Sequence, residues 1–124
     1  LSGHYYFEEN SVAEASTLPA LLLLNLMAET GQPISRLVAE TKRYFHSGEI
    51  NSEVRDKDAV LEKLRKHYAD GAQHELDGLK VEYPDWWFNV RPSNTEPLLR
   101  LNLEASTPEL MQEKQTELLT LIRE

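Results

Sequence analysis

Residues 79–104, LKVEYPDWWFNVRPSNTEPLLRLNLE, decide the fold. Leu79, Val81 and Tyr83 alternate with Lys80 and Glu82, Pro84-Asp85 turns the chain, and Trp86, Phe88 and Val90 resume the alternation. Leu99, Leu101 and Leu103 then repeat it. A period of two puts every second side chain on one face of a strand. The spacing therefore predicts three antiparallel strands with one apolar face, joined by a tight turn and by a longer polar connection over 91–97.

Helical signals flank these strands. DKDAVLEKLRKHYADG (56–71) offers Asp56 as a cap, Val60, Leu61, Leu64 and Tyr68 as one apolar face, and Gly71 past its end. Thr107-Pro108 opens a last helix carrying Leu110, Leu118, Leu121 and Ile122. RYFHSGEINSEV (43–54) reads as a strand with an irregularity at Gly48. The resulting order, β-α-β-β-β-α, implies an α+β domain whose antiparallel sheet is covered on one face by two helices.

Upstream, Tyr5, Tyr6 and Phe7 have high strand propensity. A helix is expected over 14–29, with Ser16 or Thr17 as its cap, Pro19 in its first turn and Gly31 at its end. Its leucines run nearly all round, which calls for burial on most sides. Separated from a larger domain, that surface would be left exposed. A shorter helix follows Pro33, and the domain boundary is expected between residues 43 and 44.

A net charge of −8 with no separate basic stripe argues against a nucleic-acid partner. With no cysteine in 124 residues, disulfides and thiolate metal sites are excluded, and a reducing, cytoplasmic setting is expected. The apolar run LPALLLLNLMA (18–28) is too short to span a bilayer, so no membrane partner is expected. The chain opens on Leu1 rather than Met, in a stretch unlike a signal peptide, and is expected to be a piece of a longer protein.

The connection 91–97 carries the chemistry. Arg91 offers a planar fork of N–H donors suited to two oxygens of one phosphate. Ser93 and Thr95 add hydroxyls, Asn94 adds an amide, and Pro92 and Pro97 stiffen both ends. Successive backbone amides in such a turn can also form an anion-binding concavity. The rival reading is a surface turn that bonds its own backbone, which by composition alone is the commoner case. His46, His67 and His74 lack paired metal-ligand spacing, and nothing fixes Glu8, Glu9 and Glu14 as a ligand set. Trp86 and Trp87 are read as structural, one in the core and one on the opposite sheet face. Arg100 is read as a cross-strand charge partner.

Three segments, SGHYYF (2–7), GEINS (48–52) and DWWFNVRPSNTEPLLRLNLE (85–104), together resemble the α-D-phosphohexomutase superfamily, and most of all its bacterial phosphomannomutases and phosphomannomutase/phosphoglucomutases. The resemblance implies a four-domain enzyme, an isomerase of carbohydrate metabolism. Such an enzyme moves a phosphoryl group between the 1- and 6-positions of mannose or glucose phosphate through a phosphoserine and a hexose 1,6-bisphosphate. By resemblance, residues 1–43 are the end of the sugar-binding third domain. Residues 44–124 are the phosphate-binding fourth domain, whose fold is TATA-binding-protein-like. Arg91, Ser93, Asn94 and Thr95 would hold the phosphate that is not reacting. Ser2 matches the serine of the sugar-binding loop, and His4 matches a histidine tied to acid–base work in some members. The glutamate of that loop, the phosphoserine and the ligands of a bound magnesium would all precede Leu1. The chain's partners would thus be a phosphosugar and the missing N-terminal domains, and the chain alone would be inactive. The alternative is a non-catalytic phosphate-binding or protein-interaction module on the same α+β sheet. The sequence does not choose between mannose and glucose.

Overall fold

The computed structural model describes residues 4–124. The chain divides into two units, Leu1–Lys42 and Arg43–Glu124. The first unit holds helices α1 (Thr17–Thr30) and α2 (Ile34–Thr41). Gly31 closes α1 in the left-handed region at φ 66°, its N–H donating to the Met27 carbonyl at 2.9 Å. The Ser16 side chain makes no cap bond there. At Tyr5–Phe7 a single bridge, Tyr6 to Glu14, replaces the expected strand, and a short 3-10 turn follows at Glu8–Asn10. Strand propensity alone makes no strand without a partner to complete its ladder. The leucines of α1 are not buried on most sides: Leu21, Leu22 and Leu24 are about half exposed. Their burial needs facing elements, and the described part of this unit offers only α2, one bridge and one turn.

The second unit runs β1 (Phe45–His46), β2 (Ile50–Glu53), α3 (Lys57–His67), β3 (Ala72–His74), β4 (Leu79–Glu82), β5 (Trp86–Pro92), β6 (Leu98–Ala105) and α4 (Pro108–Arg123). All pairings are antiparallel, in the order β1-β6-β5-β4-β3, with β2 beside β1 on the same edge of β6. The predicted alternation holds. Leu79, Val81, Trp86, Phe88, Val90, Leu99, Leu101 and Leu103 are buried on one face, and Leu64 of α3, Tyr68 just past its end, and Leu118 and Ile122 of α4 pack against them. Trp86 is in this core. Trp87 lies on the other face, its indole N–H donating to Glu104 at 3.2 Å. Asp56 caps α3 by accepting from the Ala59 amide at 2.9 Å, and Thr107 caps α4 by accepting from the Leu110 amide at 3.2 Å.

Two departures from the sequence reading bear on the site. The strand expected over 43–54 is broken into β1 and β2. Between the pairs His46–Glu104 and Ile50–Leu101, three residues (47–49) face two (102 and 103). That one-residue bulge reverses the side-chain parity. Ile50 and Ser52 therefore turn toward the helices, and Glu49 toward the open sheet face. Gly48 sits in the bulge at φ 73°. Secondly, β3 is an edge strand that the pattern did not announce. Its three residues, Ala72-Gln73-His74, lack apolar alternation. The Gln73 amide anchors it by donating to the Arg65 and Tyr68 carbonyls at 2.8 and 2.9 Å.

Gly78, at φ 78°, lets the chain before β4 pass against β5. A Cβ there would stand 2.6 Å from the Arg91 Cα and 2.8 Å from its Cβ, whereas one on Gly48 would meet open space. Left-handed strain costs an alanine about 1 kcal/mol at either position, and crowding adds at least about 1 kcal/mol more at Gly78. Gly78→Ala should therefore lower the denaturation midpoint clearly more than Gly48→Ala. Equal losses in chemical denaturation would refute the close approach at Gly78.

Candidate functional site

The register of β5 and β6 places Arg91 directly across from Arg100, both on the sheet face away from the helices. The connection between them is closed by the Ser93 N–H donating to the Leu98 carbonyl at 3.0 Å. From the β2 side, the Val54 N–H donates to the Pro97 carbonyl at 3.1 Å. From the start of α3, the Lys57 ammonium donates to the Ser93 carbonyl at 2.8 Å and the Glu96 carbonyl at 3.3 Å. One lysine thus ties both ends of the turn, which fixes the curvature of a connection two prolines already stiffen.

Within this frame a shallow cavity of about 370 Å³ opens, lined among others by Arg91, Ser93, Asn94, Thr95 and Arg100. The sequence-predicted residues of the connection therefore come together. Asn94 and Thr95 are exposed, while Ser93 is 5% exposed and forms the floor of the turn. Arg100 was read from sequence only as a charge partner. It does meet carboxylates, Glu49 at 3.6 Å and Glu96 at 3.8 Å. It also lines the cavity beside Arg91, and its buried Nε has no hydrogen-bond partner among the described residues. Counting inward from both ends of the turn would have paired it with Arg91. Glu49 and Lys57 lie 42 and 36 residues from their partners Arg91 and Ser93, and no local pattern points to them.

The electrostatics are balanced. Arg91 Nη2 donates to Glu49 Oε2 at 3.2 Å, and Arg91 Nη1 lies 3.6 Å from Asp77. Asp77 is held at the cavity rim by its own carbonyl, which accepts from the Asn89 amide at 2.9 Å. Two guanidiniums side by side would repel, and the three carboxylates offset that cost. All these pairs are about a third or more exposed, so each contributes about 1 kcal/mol or less. The arrangement can hold an oxyanion with two arginines, hydroxyls and an amide, at a place where its present partners are weakly bound.

In the other unit His4 is exposed, with Nδ1 3.6 Å from Glu14 Oε1. Ser2 lies outside the described residues. Among the described residues no group of three or more His, Cys, Asp and Glu side chains could hold a metal ion, and no helix is long and apolar enough to cross a membrane.

Comparison with known proteins gives the family. Residues 49–121 match the family described as phosphoglucomutase/phosphomannomutase, C-terminal domain, and residues 1–44 match its alpha/beta/alpha domain III. The chain is 45% identical over 122 residues to a phosphomannomutase of Methanocaldococcus jannaschii, covering 98% of this chain and 27% of that protein. It is 35% identical over 127 residues to a phosphomannomutase of Escherichia coli, covering 99% of this chain and 28% of that protein. A crystal structure of a phosphoglucomutase/phosphomannomutase family protein from Burkholderia thailandensis superposes with a TM-score of 0.53 at 28% identity, over 70% of this chain and 19% of that one. The chain belongs to the phosphohexomutases. Within that class it is a member of the phosphoglucomutase/phosphomannomutase family and spans about a quarter of the length of the curated relatives it matches.

The tie from Lys57 gives a local test. Lys57→Met should leave α3 and the sheet intact but speed hydrogen exchange at the amides of residues 93–96, because two loop carbonyls lose their charged donor. Unchanged exchange there would show that the loop holds its shape without the lysine.

Proposed function

We propose that this segment is the phosphate clamp of a hexose-phosphate mutase that interconverts the 1- and 6-phosphates of mannose or glucose. Residues 1–43 would be the end of its sugar-binding domain and residues 44–124 its phosphate-binding domain. The observation that carries the reading is the cross-strand pair Arg91–Arg100 beside the turn bearing Ser93, Asn94 and Thr95, in a chain of this family. In the longer protein these side chains bind the phosphate at the non-reacting end of the sugar. The energy of that contact orients the hexose toward the group that exchanges phosphoryl.

The reaction runs through a phosphoserine and a hexose 1,6-bisphosphate. That intermediate must turn end for end, so the clamp has to accept either phosphate, and it reads phosphate geometry rather than sugar identity. Ser2 would contact the sugar and His4 would take part in proton transfer. The phosphoserine belongs to the rest of the longer protein, and this chain alone would not turn over. Magnesium supplies charge stabilisation in such enzymes. No cluster of carboxylates or imidazoles among the described residues suits it, and no step here runs through it.

In the longer protein Arg91→Ala should lower kcat/KM by the equivalent of about 1.5–3 kcal/mol of transition-state stabilisation, the range of a charge-assisted hydrogen bond. Arg91→Lys should recover only part, because an ammonium cannot fork across two oxygens. An unchanged kcat/KM for Arg91→Ala would remove the clamp from the mechanism. His4→Ala should lower kcat by roughly 10²–10⁴-fold with a smaller change in KM. Lost thermal stability with normal turnover would make His4 structural instead.

A further inference from the structure

Glu49 stands between the two arginines with one oxygen toward each. Oε2 accepts from Arg91 Nη2 at 3.2 Å, and Oε1 lies 3.6 Å from Arg100 Nη1. A carboxylate bridging two guanidiniums in this way occupies the same donors that two oxygens of a phosphate would use. The remaining terminal nitrogens are also engaged, Arg91 Nη1 with Asp77 at 3.6 Å and Arg100 Nη2 with Glu96 at 3.8 Å. Only the Arg91–Glu49 contact is a hydrogen bond and the others are looser ion pairs, so a phosphate seeking a bidentate grip on either arginine must compete with a carboxylate already beside it.

The local charge count points the same way. Arg91, Arg100 and Lys57, which sits on the turn's carbonyls, contribute three positive charges, against three negative ones from Glu49, Asp77 and Glu96. A phosphate dianion entering this ring finds its cations already balanced until a carboxylate withdraws. Glu49 is also placed there by a specific backbone device. The bulge at 47–49 reverses the parity of the edge strand, and it is pinned by the Ser47 N–H donating to the Leu103 carbonyl at 2.9 Å and by the Leu103 N–H donating to the Ser47 hydroxyl at 3.1 Å. The Gly48 N–H adds a bond to His46 Nδ1 at 2.8 Å.

We infer that Glu49 is an internal competing anion: it keeps Arg91 and Arg100 aligned while the clamp is empty, gives way to the substrate phosphate, and returns to the arginines to speed its release. The inference rests on the clamp reading above. It fits a reaction in which one phosphate must leave and the other take its place, since a clamp with its own returning carboxylate releases faster than one whose arginines are left bare. Glu49 acts through the arginines and touches no reacting atom, so it is a positioning residue.

The test titrates the 124-residue chain with inorganic phosphate and follows the side-chain Nε–Hε signals of Arg91 and Arg100 by NMR. Glu49→Gln keeps the shape and removes the charge. It should bind phosphate about threefold to fivefold more tightly than the parent, the gain expected from losing an exposed competing ion pair, with slower exchange between free and bound signals. Glu49→Asp retains a carboxylate and should stay near the parent. Glu109→Gln, the same charge change on α4, controls for net charge and should also stay near the parent. Structural damage would weaken binding, so a tighter Glu49→Gln cannot be mistaken for it. If the parent binds and Glu49→Gln binds equally or more weakly, the competing role is overturned while the clamp stands. The same holds if Glu109→Gln tightens binding as much. If neither the parent nor Glu49→Gln binds, the clamp and the inference fall together.

Discussion

The register of β5 against β6 is the constraint on which the rest of this unit depends. It pairs Phe88 with Leu103 and Val90 with Leu101, which fills the space under α3 and α4. The same register, one residue out of phase, sets Arg91 opposite Arg100 on the open face. A slip of either strand by one residue would bury its arginine and turn its apolar side chains outward, so the hydrophobic pattern enforces the juxtaposition of the two charges. Burial of some 13 side chains in one cluster outweighs the repulsion of one exposed like-charged pair. The fold therefore brings the two arginines together as a by-product of satisfying its own core.

The elements around that pairing hold the site open. Lys57 reaches from the first turn of α3 to the loop carbonyls, Gly78 lets the neighbouring segment pass close to Arg91, and the bulge in the edge strand delivers Glu49. Each lies in a different stretch of sequence, and each acts on backbone or charge rather than on apolar packing. The open face lies opposite both helices of this unit. Its polar side chains, including Trp87 with Glu104 and Lys80, meet solvent or whatever the longer protein places there.

How much was legible follows from this division. The three long strands and both flanking helices of the second unit could be read because alternation and caps are local signals, and Asp56 and Thr107 cap as expected. The turn at 91–97 was legible as a dense set of donors. Arg100 was seen but given only half its role, since its partner depends on register. Glu49, though within the quoted GEINS segment, and Lys57 were given no role because a side chain's partner 36 or more residues away leaves no periodic trace. β3 was missed because an edge strand of Ala, Gln and His has no apolar rhythm to announce it. The leucine-rich α1 was expected to be buried from its composition, yet what covers such a helix is set by elements outside itself.

The most direct measurement of the central claim is a map of backbone amide shifts in this chain on titration with mannose 1-phosphate, with unphosphorylated mannose as the control. The account predicts shifts confined to residues 91–100 and their neighbours at Glu49 and Asp77, a dissociation constant on the order of millimolar, weakening with added salt, and no response to mannose. A well-dispersed spectrum that stays unchanged at tens of millimolar ligand (about ten times that constant), or one that responds equally to mannose, would contradict it.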